Sequence, residues 1–121
     1  MDRKESAEQA ALMEWAAWNS GKYPELRLLF HIPNGGSRNK AEAAHLKRQG
    51  VKAGAPDLML PVARGGFHGL FIEMKAAKGR LSPFQAEWIA ALRGEGYRAA
   101  VCYGFGEARD TLVRYLEEEM E

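Results

Sequence analysis

Glu73 stands where an apolar residue belongs. It sits inside the run Leu70-Phe71-Ile72-Glu73-Met74-Lys75, and a carboxylate buried there is costly unless a cation or a donor neutralises it. Lys75 follows two residues later, on the same side of an extended chain. Asp57 comes directly after Pro56, at the mouth of the preceding apolar run Leu58-Met59-Leu60-Pro61-Val62. If the two runs pair as a hairpin, Asp57 and Glu73 converge at one end of a sheet. Two carboxylates with water make a hard-oxygen site suited to Mg²⁺ or Mn²⁺. Lys75 beside them can orient or deprotonate a water and stabilise developing negative charge. A second reading of the same residues stays open: a buried Glu73–Lys75 ion pair that serves folding, with Asp57 as a turn residue after proline.

The surrounding pattern predicts what positions these groups. Asp2 to about Asn19 reads as a helix, with Ala11, Leu12, Trp15, Ala16 and Trp18 on one face, ended by Gly21 and Pro24. Arg27–Ile32 reads as a strand that stops at the turn signal Pro33-Asn34-Gly35-Gly36. Ser37 is placed to cap a second helix over roughly 38–49. Arg64-Gly65-Gly66-Phe67 reads as the hairpin turn between the two central strands, the second covering His68–Lys75. Ser82 as N-cap and Pro83 at the first helical position open a third helix. A strand from Tyr97 to Tyr103 and a helix from Glu107 to about Glu118 complete the chain. The expectation is an α/β fold with a central mixed four-stranded sheet flanked by helices.

Composition bounds the rest. The chain has 121 residues, 46% apolar and 27% charged, which suits one folded domain over residues 1–121 and excludes disorder as the main state. The apolar runs fall well short of the ~20 residues a membrane span needs. Met1 leads straight into Asp-Arg-Lys-Glu, so no secretory signal is expected, and a lone cysteine, Cys102, fits a reducing, cytoplasmic setting. Lys+Arg number 17 against 16 Asp+Glu, a net charge of +1. This near-neutrality hides an asymmetry. Arg38, Lys40, Lys47, Arg48 and Lys52 cluster in one segment and Lys75, Lys78 and Arg80 in another, while Glu117, Glu118, Glu119 and Glu121 crowd the C-terminus. A polyanion is drawn to the first two segments and repelled by the last.

Pro56-Asp57 followed by Glu73-Met74-Lys75 resembles the PD-(D/E)xK nuclease signature. Four blocks in order narrow the likeness: His31-Ile32-Pro33-Asn34-Gly35-Gly36, Gly50 through Asp57, Gly69 through Lys75, and Gly79 through Gln85. Together they resemble the VRR-Nuc (virus-type replication-repair nuclease) family, over about residues 5–116. Its members occur alone in phages and bacteria and at the C-terminus of the Fanconi-anaemia-associated nuclease. The resemblance implies a restriction-endonuclease-like fold and hydrolysis of DNA phosphodiesters with a divalent metal, Mg²⁺ or Mn²⁺. It also implies a preference for branched or four-way-junction DNA and action as a homodimer, in a bacterial or phage-infected cell.

On that resemblance the catalytic set is Asp57, Glu73, Lys75, Glu5 and Gln85. The metal ligands are Asp57, Glu73, Glu5 and the carbonyl of Met74. The family's Glu-x-x-x-Gln spacing falls on Glu5 and Gln9, although Glu8 lies nearer the centre of the helix's apolar stripe and competes with Glu5. Asn34, Arg38, Lys40, Lys47, Arg48, Lys52, Lys78 and Arg80 are candidates for gripping DNA phosphates, and their neutral reading is ordinary surface. Gln85 is expected to touch the water, the phosphate or Lys75. His31 is read as a satisfied core residue, and Trp15, Trp18 and Trp88 as packing. A DNA-binding module on the same fold without turnover is the alternative function.

Overall fold

A computed structural model describes residues 3–34 and 39–119. Its helices are α1 (Arg3–Trp18), α2 (Lys40–Arg48), α3 (Pro83–Gly94) and α4 (Phe105–Leu116), and its strands are β1 (Phe30–His31), β2 (Leu58–Leu60), β3 (Leu70–Lys75) and β4 (Arg98–Tyr103). The strands form one sheet in the order β1-β2-β3-β4. The first two pairings are antiparallel and β3 runs parallel to β4, joined through α3. This is the mixed α/β sheet flanked by helices that the sequence predicts.

The period-2 alternation of β3 sorts its side chains onto two faces. Leu70, Ile72 and Met74 enter a core with Leu58 and Leu60 of β2, Leu12 and Ala16 of α1, and Ala108, Leu112 and Tyr115 of α4. Phe71 faces the other way, into a smaller cluster with Ala99 of β4, under Ile89 and Leu92 of α3. Glu73, two residues past Phe71, shares that second face.

Local chemistry accounts for most boundaries. The hairpin turn is present, with Arg64 and Phe67 bridged. Ser82 caps α3 in a capping box: its hydroxyl accepts from Gln85 N–H, and Gln85 Oε1 accepts from Ser82 N–H. Three expectations fail. Pro24–Leu28 folds as a 3₁₀ turn that buries Leu26, so β1 shrinks to two residues. The expected cap Ser37 lies outside the described residues, as does Arg38; Asn39 caps α2 instead, accepting from Glu42 N–H at 3.0 Å. Trp18 is 88% exposed and Ala11 is also exposed, because the buried stripe of α1 runs through Leu12 and Ala16.

Candidate active site

The strand register sets up the site. Leu58 pairs with Ile72 and Met59 with Phe71, so one further antiparallel step puts Asp57 across from Glu73. His31 pairs with Leu58, and Ile32 N–H donates to the Asp57 carbonyl at 2.7 Å, which continues the same row to β1. On the other side Glu73 is in register with Val101. Ile32, Asp57, Glu73 and Val101 therefore form one transverse row, and directly opposed side chains in such a row stand ~4.5–5.5 Å apart at Cβ.

Asp57 and Glu73 are the buried charged residues of the described chain, 1% and 2% exposed. Asp57 Oδ2 accepts from Met74 N–H at 2.7 Å. Glu73 Oε2 accepts from Gln85 Nε2 at 3.2 Å, while Glu73 Oε1 is buried with no donor facing it. Burial pushes the Glu73 carboxyl up to about 9; contact with the Asp57 carboxylate adds to the rise, as does the charge of Glu5, and Lys75 opposes it. A proton shared by the two carboxyls would answer the orphaned oxygen.

A divalent cation would answer it equally well, and the donors present fit one. The carboxylate oxygens are hard ligands of the kind Mg²⁺ and Mn²⁺ select. Among the described residues no three His, Cys, Asp or Glu side chains form a metal cage of their own. A cation between Asp57 and Glu73 would therefore complete its shell with water and backbone oxygen, the usual habit of Mg²⁺.

The remaining candidates fall around this pair. Glu5, in the first turn of α1, acts on Glu73 through its charge. Its competitor Glu8 is engaged elsewhere: Glu8 Oε2 accepts from Phe105 N–H, capping α4 where Gly104 has no side chain to do so. Met74 meets Asp57 through its N–H, with its side chain in the core. Lys75 makes no salt bridge with Glu73, so the alternative reading, a buried ion pair that serves folding, is not formed; ion pairs among the described residues include Arg64–Glu25 and Arg109–Asp110. Gln85, expected near the water, the phosphate or Lys75, instead contacts Glu73 itself, held there by the capping box.

Lys40, Lys47 and Arg48 are exposed on α2, and Lys52, Lys78 and Arg80 in loops; Asn34 lines one pocket with Lys47 and Lys52. His31 is exposed rather than core, and its Nδ1 lies 2.8 Å from the Asp57 carbonyl and 3.0 Å from Gln9 Nε2. The sequence reading missed this clamp on Asp57; its signal was a polar residue in an apolar run just before a turn. Trp88 is half-buried and its Nε1–H donates to the Ala53 carbonyl. Cys102 is buried in strand core, as expected. No helix among the described residues is long and apolar enough to cross a membrane.

A comparison with curated proteins gives no match. A solved structure described as a VRR_NUC domain protein is similar to this chain, at 35% identity over 97% of this chain and 91% of that one, with a TM-score of 0.79. The VRR-NUC domain family model matches residues 3–106. With its mixed sheet, its Pro-Asp and Glu-x-Lys strands and that match, the chain belongs to the VRR-NUC family of nuclease domains.

Proposed function

We propose that this protein is a divalent-metal-dependent DNA endonuclease whose site is built on Asp57, Glu73 and Lys75. The observation that carries the reading is the buried Asp57–Glu73 pair with an orphaned carboxylate oxygen. A nuclease-family fold that accepts this cost at one end of its sheet has a use for it.

Asp57 and Glu73 would hold Mg²⁺ or Mn²⁺, with Glu5 reached through a water and the Met74 carbonyl as a further donor. When bound, the ion lowers the pKa of a water and polarises the scissile phosphate. The protein's own groups do the positioning. Met74 N–H fixes Asp57, and Gln85 fixes Glu73. His31 holds the Asp57 backbone from β1. Lys75 lies at the end of β3, its carbonyl accepting from Gly104 N–H at 3.1 Å, and its side-chain ammonium is placed to orient the attacking water and offset charge on the phosphoryl group. One P–O bond forms from water and one P–O bond of the backbone breaks.

An acidic site facing a polyanion needs flanking positive charge. Lys40, Lys47, Arg48 and Lys52 on one side and Lys78 and Arg80 on the other supply it; Arg38 would extend the first group. Contacts to phosphate carry little sequence information, so selection by DNA shape is the natural consequence. Two copies about a two-fold axis would present paired sites to a symmetric branched substrate.

The test is incubation of purified protein with labelled duplex, nicked, flapped and four-way-junction DNA in Mg²⁺, Mn²⁺ or EDTA. Cleavage in either metal, abolished by EDTA, is expected. A protein that retains DNA but cuts none of the panel would be a binding module on this fold.

A further inference from the structure

The face of the sheet that carries Asp57 and Glu73 is not fully covered by α3. Beside the carboxylates it opens into a pocket of about 360 Å³. Its floor is Ile32 and Phe71, and its walls include Pro56, Val51, Trp88 and Lys52. Ile32 neighbours Asp57 in the transverse row, Pro56 precedes Asp57, and Phe71 precedes Glu73 by two residues on the same face. That last spacing is about 7 Å along the strand, the length of about two nucleotide steps stacked at ~3.4 Å each.

The pocket's frame is held open by named contacts. Trp88 Nε1–H donates to the Ala53 carbonyl at 3.2 Å, tying α3 to the loop before β2. Gly54, at φ +86, lets the same loop pass so close to Phe84 that an added Cβ would lie 2.6 Å from the Phe84 Cβ. No residue of α2 is buried, and the residues that follow it, Gln49 to Lys52, line the pocket.

From this juxtaposition we infer that the pocket takes one unpaired base of the DNA, from a nucleotide next to the scissile phosphate. The inference rests on the nuclease reading above and adds to it the substrate feature that is selected. The lining is aromatic and apolar with a lysine at hand, the combination that receives a base through its faces and its phosphate through charge. Its volume lies at the low end of the ~300–1,000 Å³ of small-ligand pockets, with room for a single base and its sugar. A paired base would first have to leave its stack, at a cost that an unpaired one does not incur. Junctions, flaps and bulges offer such a base, and intact duplex does not.

The experiment uses three duplexes of one sequence: fully paired, with a single unpaired nucleotide, and with an abasic residue at the same bulge. Cleavage at the flanking phosphates is followed in Mn²⁺. The wild type is expected to cut the base-bearing bulge about 10-fold faster than the abasic one, and Val51→Phe, which fills the pocket, to bring that ratio to about one while still melting near the wild-type temperature. Equal rates on the two bulges, with cleavage intact, overturn the inference and leave the nuclease reading standing. A second measurement does not depend on turnover: 5-iododeoxyuridine at the bulge, irradiated on the bound protein in EDTA, is expected to cross-link to Trp88. Cross-links confined to other regions overturn the inference whatever the enzyme cuts.

Discussion

Gln85 holds one oxygen of Glu73 with its side-chain amide while its own carbonyl oxygen closes the cap of α3. One residue thus fixes both the start of a helix and the direction of a buried carboxylate. Gln85→Ala is expected to cost roughly 1 kcal/mol of stability through the cap and to weaken Mn²⁺ binding about 10–100-fold, as lost support of a ligand does. Gln85→Glu keeps an acceptor for Ser82 N–H but sets a negative charge against Glu73. Calorimetric titration with Mn²⁺ should show a deficit in both variants, and thermal melts should show the larger loss for Gln85→Ala.

Glu73 makes the metal-free protein sensitive to alkali. Its carboxyl sits at about 9 in the fold against an ordinary 4.5. Between those values the folded state keeps a proton that the unfolded chain has released, so stability is full below the lower value and falls as pH rises toward the upper one. Glu73→Gln supplies a neutral amide that can still accept from Gln85 and donate to Asp57. At pH 8 in EDTA this variant is expected to melt higher than wild type, by an amount on the order of 1–3 kcal/mol of stability. At pH 4 the advantage should vanish.

Divalent metal should reverse that order. Loading the site requires Glu73 to lose its proton, so Mn²⁺ should raise the melting temperature more at pH 8 than at pH 6. With metal at 100 times its dissociation constant the gain is ~2.7 kcal/mol, or ~10 °C for a domain of this size. Glu73→Gln and Asp57→Asn should lose most of it.

Lys75 should separate chemistry from binding. Lys75→Ala removes a group proposed to act on the water and the phosphate, so DNA cleavage is expected to fall by ~10²–10⁴ while the Mn²⁺-induced rise in melting temperature persists. Equal nicking by wild type and variant would take Lys75 out of the mechanism.

The basic segment should act through charge alone. Lys47→Glu with Lys52→Glu is expected to weaken binding of all DNA shapes alike and to flatten the salt dependence by about one unit per lost phosphate contact. Binding titrations at several salt concentrations measure both.

The hairpin of β2 and β3, the cap at Ser82 and the alternation in β3 were legible because each is written in neighbouring residues: a Gly-Gly turn, a Ser-Pro start, a period of two. Asp57 opposite Glu73 followed from the hairpin's register. What the sequence hid depends on elements far apart in the chain. Glu8 looked like a rival to Glu5 because nothing local says that α4 begins at a glycine and takes its cap from α1. The 3₁₀ turn at Pro24–Leu28 arises where Pro24 starts a turn that buries Leu26, against the strand preference of the residues after it. His31 reads as core by its apolar neighbours, yet the edge of a sheet leaves it exposed and turned to Asp57.

Anomalous diffraction from crystals soaked in Mn²⁺ tests the central claim most directly. The account predicts a single strong peak, or two close ones, between the Asp57 carboxylate and Glu73 Oε1, with Lys75 beside it. A well-ordered Asp57–Glu73 pair that still shares its proton at pH 8 in excess Mn²⁺, with no anomalous density between the two, would contradict it.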